Sequence, residues 1–243
     1  MHSAPQPAPS PRGVDAGRGV AWWTEAWALL MRTLGMWVVL SLVSLVLFIV
    51  LNFVPLIGAL AASLLAPVFV GGWMLAARKV QAGGTLEVGD LFLGFREALT
   101  PLAILGALLL GAVLVIGIVF SVLGIGAMAG MIGGAMHGSP GGMMAAAGTG
   151  LFGLLLAFVL GVAVSIAIWF APALVVFHGL APVDALKASI QASLKNIGPF
   201  LVYGLLYIVA AMVASIPFGL GWIVLVPLTL LSVYTSYQDV FGA

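Results

Sequence analysis

The chain has 243 residues, of which 63% are hydrophobic and 6% are charged, with a formal net charge of +1. A soluble domain typically carries about 25% charged residues, so the composition excludes a water-facing globular surface and indicates a protein dissolved in lipid. The nearly neutral charge lacks the basic stripe that nucleic acid binding requires, and we expect no nucleic acid partner. Because the chain has no cysteine, thiolate catalysis and cysteine-based metal sites are excluded.

The N-terminal segment differs in composition from everything that follows it. Residues 1–19 are rich in proline and contain serine, glutamine, glycine and arginine. Such a segment buries too little apolar area to offset the entropy of ordering. We therefore expect a disordered tail over residues 1–19 and a single transmembrane domain over residues 20–243.

Three long runs without a charged residue follow, between Arg32 and Arg78, between Glu97 and Asp184, and between Lys195 and Asp239. A charge at mid-bilayer costs about 2.5–3.5 kcal/mol, so such runs mark membrane spans, and each is long enough for two helices. They are continuously apolar rather than alternating, which favours helices over a β-barrel. The predicted fold is an all-α polytopic membrane protein with six transmembrane helices in three hairpins. The predicted spans are about 34–51, 56–80, 101–124, 150–177, 199–216 and 221–237.

The basic residues are distributed asymmetrically between the connections. The first, third and fifth connections between spans carry none. Lysine and arginine in short loops are retained on the cytoplasmic side, so the bias predicts that both termini lie in the cytoplasm. The eight basic residues are Arg12, Arg18 and Arg32 before the first span, Arg78, Lys79 and Arg96 in or beside the second connection, and Lys187 and Lys195 in the fourth.

A short amphipathic stretch precedes each pair of spans. In the third stretch Val183, Leu186, Ile190 and Leu194 recur at helical spacing, with Lys187 on another face. We expect three cytoplasmic interfacial helices that anchor the domain in the headgroup region, which makes membrane lipid the first partner. Docking of a second copy of the chain or of other membrane proteins is the alternative.

The predicted connection over residues 124–150 is rich in glycine and methionine. Thioether and imidazole groups suit Cu(I), so a soft-metal site is the sharper hypothesis for this segment. We favour a flexible or membrane-skimming loop, because no spacing here matches a defined motif. We accordingly assign no catalytic, cofactor-binding or metal residue and expect no cofactor. The weak soft-metal candidates are Met128, Met131, Met136, His137, Met143 and Met144.

Apart from Arg78 and Lys79 at the very end of the second span, the predicted spans contain no Asp, Glu, Lys or Arg, which argues against an ion-coupled pump. The leading hypothesis is a non-catalytic inner-membrane protein that organises lipid or other envelope proteins. A passive channel or small-solute permease is the alternative. An intramembrane enzyme is the third hypothesis. It would need a nucleophile and a base brought together from Ser165, His178 or His137, and the spacing of these residues does not indicate such a site.

Several segments carry a family resemblance. They are WFAPALV at 169–175, ALKAS at 185–189, KNIGPF at 195–200 and VPLIG at 54–58. With these segments the chain resembles a family of uncharacterised bacterial inner-membrane proteins of unknown function. It is also distantly similar to the membrane domain attached to some glycerophosphodiester phosphodiesterases. The resemblance implies a six-helix membrane domain and brings no catalytic residues with it.

The orientation can be tested with a reporter fused at Gly138, in the third connection. Because this connection carries no lysine or arginine, the reporter is expected to be active only on the periplasmic side. Activity at the same position of a reporter that works only in the cytoplasm would contradict the predicted topology.

Overall fold

The computed structural model of the chain describes residues 9–54 and 57–242. Within these ranges the chain is helical and contains no strand, which confirms the all-α class. The elements in chain order are α1 Arg18–Arg32, α2 Leu34–Asn52, α3 Ile57–Gln81, a 3₁₀ helix Val88–Phe92, α4 Leu93–Glu97, α5 Leu99–Met136, α6 Pro140–Trp169, α7 Ala171–His178, α8 Pro182–Lys195, α9 Ile197–Ser215 and α10 Trp222–Phe241.

Six stretches of this helical chain are long and apolar enough to cross a bilayer. They are α2, α3, α5, α6 together with α7, α9 and α10. These six candidate spans match the predicted number, and the bounds of α2, α3, α9 and α10 lie within a few residues of those expected. Along the chain a short helical segment precedes each consecutive pair: α1 first, then the 3₁₀ helix with α4, then α8.

The third and fourth spans differ from their predicted bounds of 101–124 and 150–177. The expected loop over residues 124–150 is wrong: α5 continues to Met136, α6 begins at Pro140, and three residues join them. Alanine and methionine are good helix formers, and a proline at the first helical position costs no hydrogen bond. Gly138, with a φ of 60°, supplies the left-handed turn between the two helices.

Glycine in this segment serves close packing rather than flexibility. A Cβ added at Gly130 would lie 2.9 Å from the Cβ of Ala146, and one at Gly134 would lie 2.9 Å from the backbone nitrogen of Met143. Small residues at these positions therefore let α5 and α6 approach each other closely, as in other membrane helix pairs.

The length of α5 exceeds what a bilayer core requires. Its 38 residues extend about 57 Å at 1.5 Å per residue. The hydrocarbon core is about 30 Å thick, and a tilt of about 40° still leaves about 44 Å along the bilayer normal. If α5 crosses the bilayer, it therefore extends beyond the hydrocarbon core at one end or at both.

The N-terminal segment departs from the expected disordered tail. Residues 1–8 of the predicted tail lie outside the described residues. From Arg12 onward the backbone has partners: the N–H of Arg12 donates to the Val240 carbonyl oxygen at 2.8 Å, and that of Val14 donates to Asn196 Oδ1 at 2.8 Å. The Asn196 amide returns a bond to the Arg12 carbonyl oxygen at 2.9 Å. The expectation of disorder is wrong for this part, because partners distant in sequence satisfy its polar groups.

The chain divides into two compact units, residues 1–107 with 167–243, and residues 108–166. The first unit holds an aromatic core in which Trp22, Trp37 and Phe170 are fully buried. Trp37 stacks on Trp73 with ring centroids 5.2 Å apart, and Trp22 meets the edge of Phe200 at 5.4 Å. Such pairs fix the positions of the surrounding helices beyond the contribution of buried area alone. The second unit contains α5 from residue 108 to its C-terminal end and most of α6.

Two glycines let the 3₁₀ helix and α4 lie directly on α3. A Cβ at Gly72 would overlap the carbonyl oxygen of Leu91, and a Cβ at Gly94 would overlap that of Val68. Both contacts are with backbone, which cannot move aside as a flexible side chain can. This close approach sets the position of α4 beside the last turns of α3.

The break between α6 and α7 is also specified locally. Pro172 lacks the N–H that would continue the helix, so α6 ends at Trp169 and α7 begins at Ala171. The N–H of Phe170, at the break, donates to Ser189 Oγ of α8 at 3.1 Å. A buried backbone donor at the break is thus satisfied by a side chain, as buried polar groups require.

Candidate functional site

Asp239, in the last turn of α10, is the centre of a polar clamp that holds the N-terminal segment. Its Oδ2 accepts from Arg18 Nε at 2.6 Å and from Trp22 Nε1 at 2.9 Å. Arg12 donates to the Asp239 carbonyl oxygen at 2.7 Å, and Arg18 also bonds Glu25 at 2.9 Å. The hydrogen bond to Asp239 raises the pKa of Arg18. We call Arg12, Arg18, Trp22 and Asp239 the Asp239 clamp.

A second polar group joins α3 to α10. The Tyr234 hydroxyl donates to Gln81 Oε1 at 2.6 Å, and the Gln238 amide donates to the same oxygen at 2.6 Å. His178, the last residue of α7, has its Nε2 2.7 Å from the Tyr237 hydroxyl. These contacts satisfy polar side chains at the ends of membrane helices and hold those helices together.

Ser165 and His178, proposed above as possible elements of an intramembrane enzyme, have these partners in the structure. The Ser165 hydroxyl donates to the Gly161 carbonyl oxygen of its own helix at 2.9 Å. Back-bonding of this kind is a common use of serine in membrane helices. His137 is exposed in the turn between α5 and α6. The intramembrane enzyme stays an untested hypothesis.

An apolar cleft opens between α2, α3 and α10. Its volume is about 440 Å³, within the range of about 300–1,000 Å³ that small-molecule sites occupy. The hydroxyls of Ser41 and Ser44 are already bonded to the carbonyl oxygens of Trp37 and Leu40, at 2.9 and 2.8 Å. We call this cleft the lateral cleft. Its lining residues are Ser41, Leu42, Ser44, Leu45, Phe48, Ala66, Phe69, Val70, Trp73, Gly219, Trp222, Ile223, Val226 and Leu230.

A smaller pocket lies where the end of α3 meets α4, and we call it the α3–α4 pocket. Its volume is about 330 Å³. In contrast to the lateral cleft, it carries ionised side chains of both signs. Its lining residues are Leu75, Arg78, Lys79, Ala82, Leu93 and Glu97.

The soft-metal candidates are divided between two helices. Met128, Met131 and Met136 lie on α5, Met143 and Met144 on α6, and His137 between them. Met128 and Met131 line an apolar pocket of about 390 Å³ together with Gly124, Gly150 and Leu154. Met136 and Met144 are among the more exposed side chains. The soft-metal hypothesis stays a prediction.

Sequence reasoning did not find the residues that form the Asp239 clamp or the lateral cleft. Arg12 and Asp239 are separated by almost the whole chain, and nothing local marks them as partners. For the lateral cleft the sequence offers only weak evidence: Ser41 and Ser44 lie three residues apart on an otherwise apolar helix, so both fall on one face of that helix. The α3–α4 pocket has a clearer signal, since Arg78 and Lys79 end a long apolar helix.

Comparison with known proteins gives one family and one curated relative. The model of a domain of unknown function, DUF7847, matches residues 26–240. A probable inner membrane protein of Burkholderia thailandensis is 31% identical over 214 residues, a match that covers 86% of this chain and 78% of the relative. No solved structure matches.

The Asp239 clamp can be tested by replacing Asp239 with alanine. The change leaves Arg18 and Trp22 without their shared acceptor, and we expect a loss of about 1–2 kcal/mol in the free energy of unfolding, since Arg18 is partly exposed. Trypsin is expected to cleave after Arg12 and Arg18 faster than in the unsubstituted protein.

The matched control is Asp184→Ala. It removes the same charge from an exposed pair with Lys187 at 3.8 Å, whose expected contribution is below about 0.5 kcal/mol. Equal tryptic rates at Arg12 and Arg18 in all three proteins would contradict the clamp.

Proposed function

Since the chain belongs to the DUF7847 family of unknown function, with an inner-membrane relative, we propose that it is a non-catalytic inner-membrane protein that binds and organises bilayer lipid. The observation that carries this proposal is the lateral cleft. Three membrane helices border it, its lining is apolar, and its two serine hydroxyls are committed to their own helix. A polar solute would find no free donor on those hydroxyls, whereas an acyl chain needs none.

The chemistry of the lining favours an acyl chain over other apolar ligands. The surrounding solvent of α2, α3 and α10 is lipid, so acyl chains reach the cleft laterally without crossing water. Phe48, Phe69 and Trp73 supply broad apolar surfaces, and Ala66 with Gly219 leaves room between them. An acyl chain bound in the cleft exchanges dispersion contacts with mobile lipid neighbours for dispersion contacts with fixed protein side chains.

The short helices α1 and α8 support an interfacial role for the amphipathic stretches. In α8 the small residues Ala185, Ala188 and Ala192 are buried against the protein, while Val183 and Leu194 are 50% and 55% exposed. An exposed apolar row beside charged residues is the pattern of a helix lying in the headgroup region. We place α1, α4 and α8 at the cytoplasmic interface, where they anchor the domain and order nearby lipid.

The proposed location is the bacterial inner membrane, with both termini in the cytoplasm. The name of the Burkholderia relative supports the membrane, and the distribution of lysine and arginine supports the orientation. Envelope proteins or a second copy of the chain are further candidate partners for the exposed apolar surfaces.

The cleft can be tested with a phospholipid that carries a photoactivatable group near the middle of its acyl chain. In the unsubstituted protein we expect crosslinks at lining residues such as Leu45 and Val226. Ala66→Phe fills the cleft, so crosslinking at both positions is expected to fall to background.

Ala59→Phe is the matched control, because it adds the same ring to the same helix two turns away, at a position that does not line the cleft. It is expected to leave crosslinking unchanged. Crosslinks spread evenly over α2, α3 and α10, and equal in both variants, would contradict an acyl-chain site.

A further inference from the structure

The α3–α4 pocket differs from the lateral cleft in carrying charge. Three of its six lining residues are ionisable, Arg78, Lys79 and Glu97, in a chain of which only 6% is charged. In such a chain an ionised side chain is costly unless it lies at the headgroup level or has a partner. The partners of these three residues therefore decide what the pocket can bind.

Lys79 is already neutralised. Its Nζ bonds both carboxylate oxygens of Asp90, at 3.0 and 2.9 Å. The Asp90 side chain is 8% exposed and also accepts from the N–H of Glu87 at 2.8 Å. This pair holds the 3₁₀ helix against α3 and leaves little charge of Lys79 for a ligand.

Arg78 and Glu97 have no such partner. Over residues 9–54 and 57–242, neither side chain takes part in an ion pair or a side-chain hydrogen bond. The Arg78 guanidinium lies over the Phe177 ring, 4.7 Å from its centroid, which orients the planar group but uses none of its N–H donors. The pocket is thus lined by two charged residues without an ion-pair partner: Arg78, whose guanidinium is held over the Phe177 ring, and Glu97.

The position of the pocket limits the ligands that reach it. Arg78 belongs to the last turn of a 25-residue membrane helix, so it lies at the depth of the lipid headgroups. Basic pockets between membrane helices at this depth bind lipid phosphates. A purely anionic headgroup, however, would meet the Glu97 carboxylate as well as Arg78.

We propose that the α3–α4 pocket binds the headgroup of a zwitterionic aminophospholipid, of which phosphatidylethanolamine is the simplest. Arg78 binds the phosphate in the bidentate manner that suits a guanidinium, and Glu97 accepts from the primary ammonium. Phosphatidylglycerol offers no ammonium to Glu97, and the quaternary ammonium of phosphatidylcholine has no N–H to donate. This inference names a lipid class within the proposed lipid-binding function, at a site separate from the lateral cleft.

The test uses the purified, delipidated full chain in detergent, with its unfolding temperature measured as each lipid is titrated. The probes are phosphatidylethanolamine, phosphatidylglycerol and phosphatidylcholine of identical acyl chains, and soluble glycerophosphoethanolamine. We expect an apparent affinity for phosphatidylethanolamine about threefold higher than for the other two lipids, the size of one exposed ion pair. Soluble glycerophosphoethanolamine is expected to give no shift at lipid concentrations, because it lacks the chains that concentrate the headgroup at the site.

Variants separate the two contacts. Glu97→Gln is expected to abolish the preference for phosphatidylethanolamine over phosphatidylglycerol while keeping the response to both. Arg78→Gln is expected to lower the affinity for all three lipids, and Arg78→Lys, which keeps the positive charge but not the planar bidentate group, to lower it by a smaller factor. Arg96→Gln, next to Glu97 but outside the pocket lining, is the control and should match the unsubstituted protein.

Three results would overturn the inference. One is equal affinity for phosphatidylethanolamine and phosphatidylglycerol in the unsubstituted protein. Another is a preference that survives Glu97→Gln, and the third is an equal shift from the soluble headgroup. None of these results affects crosslinking in the lateral cleft, so the headgroup inference can fail while the acyl-chain proposal stands. If instead the Ala66→Phe crosslinking test fails, the headgroup titration can still be interpreted.

Discussion

The cost of an ionised group in hydrocarbon is the constraint on which this structure depends. It keeps Asp, Glu, Lys and Arg out of the interior of the membrane helices and collects them at helix ends, where Arg78, Lys79 and Asp239 occupy last turns. Several of these charges are paired: Asp239 accepts hydrogen bonds from Arg18 and Trp22, and Asp90 accepts hydrogen bonds from Lys79. Polar contacts therefore fasten the ends of the first unit, while aromatic and small residues pack its interior.

Both candidate sites follow from this division. The lateral cleft lies where packing between α2, α3 and α10 is incomplete and no charge is present, so its chemistry suits an acyl chain. The α3–α4 pocket lies at a helix end, where Arg78 and Glu97 are left over after Lys79 and Asp90 have paired. An apolar site and a zwitterionic site together match the two parts of a phospholipid, although they are proposed as independent sites.

The charge-free runs, their length and their continuous apolarity were enough to predict the helical class and the six apolar stretches, because the penalty for a buried charge acts on every residue separately. Where the outcome depended on distant partners, the sequence was insufficient. Residues 12–17, which follow the prolines of the N-terminal segment, looked unable to fold by themselves, yet Val240 and Asn196 accept hydrogen bonds from the backbone of Arg12 and Val14. The Gly/Met-rich stretch looked like a loop because glycine weakens isolated helices, whereas Gly130 and Gly134 permit close packing of α5 on α6. The lateral cleft depends on three helices at once and had almost no local signal.

The absence of cysteine permits a direct measurement of the medium around each helix. Single cysteines at Leu114, Val209 and Met136, all exposed on the protein surface, can be reacted with a membrane-permeant maleimide in native membranes. If lipid surrounds the spans, Leu114→Cys and Val209→Cys react slowly, because the thiolate does not form in hydrocarbon, while Met136→Cys, at the far end of the overlong α5, reacts fast. Equal, rapid labelling at all three positions would show that water surrounds these helices and would contradict the account.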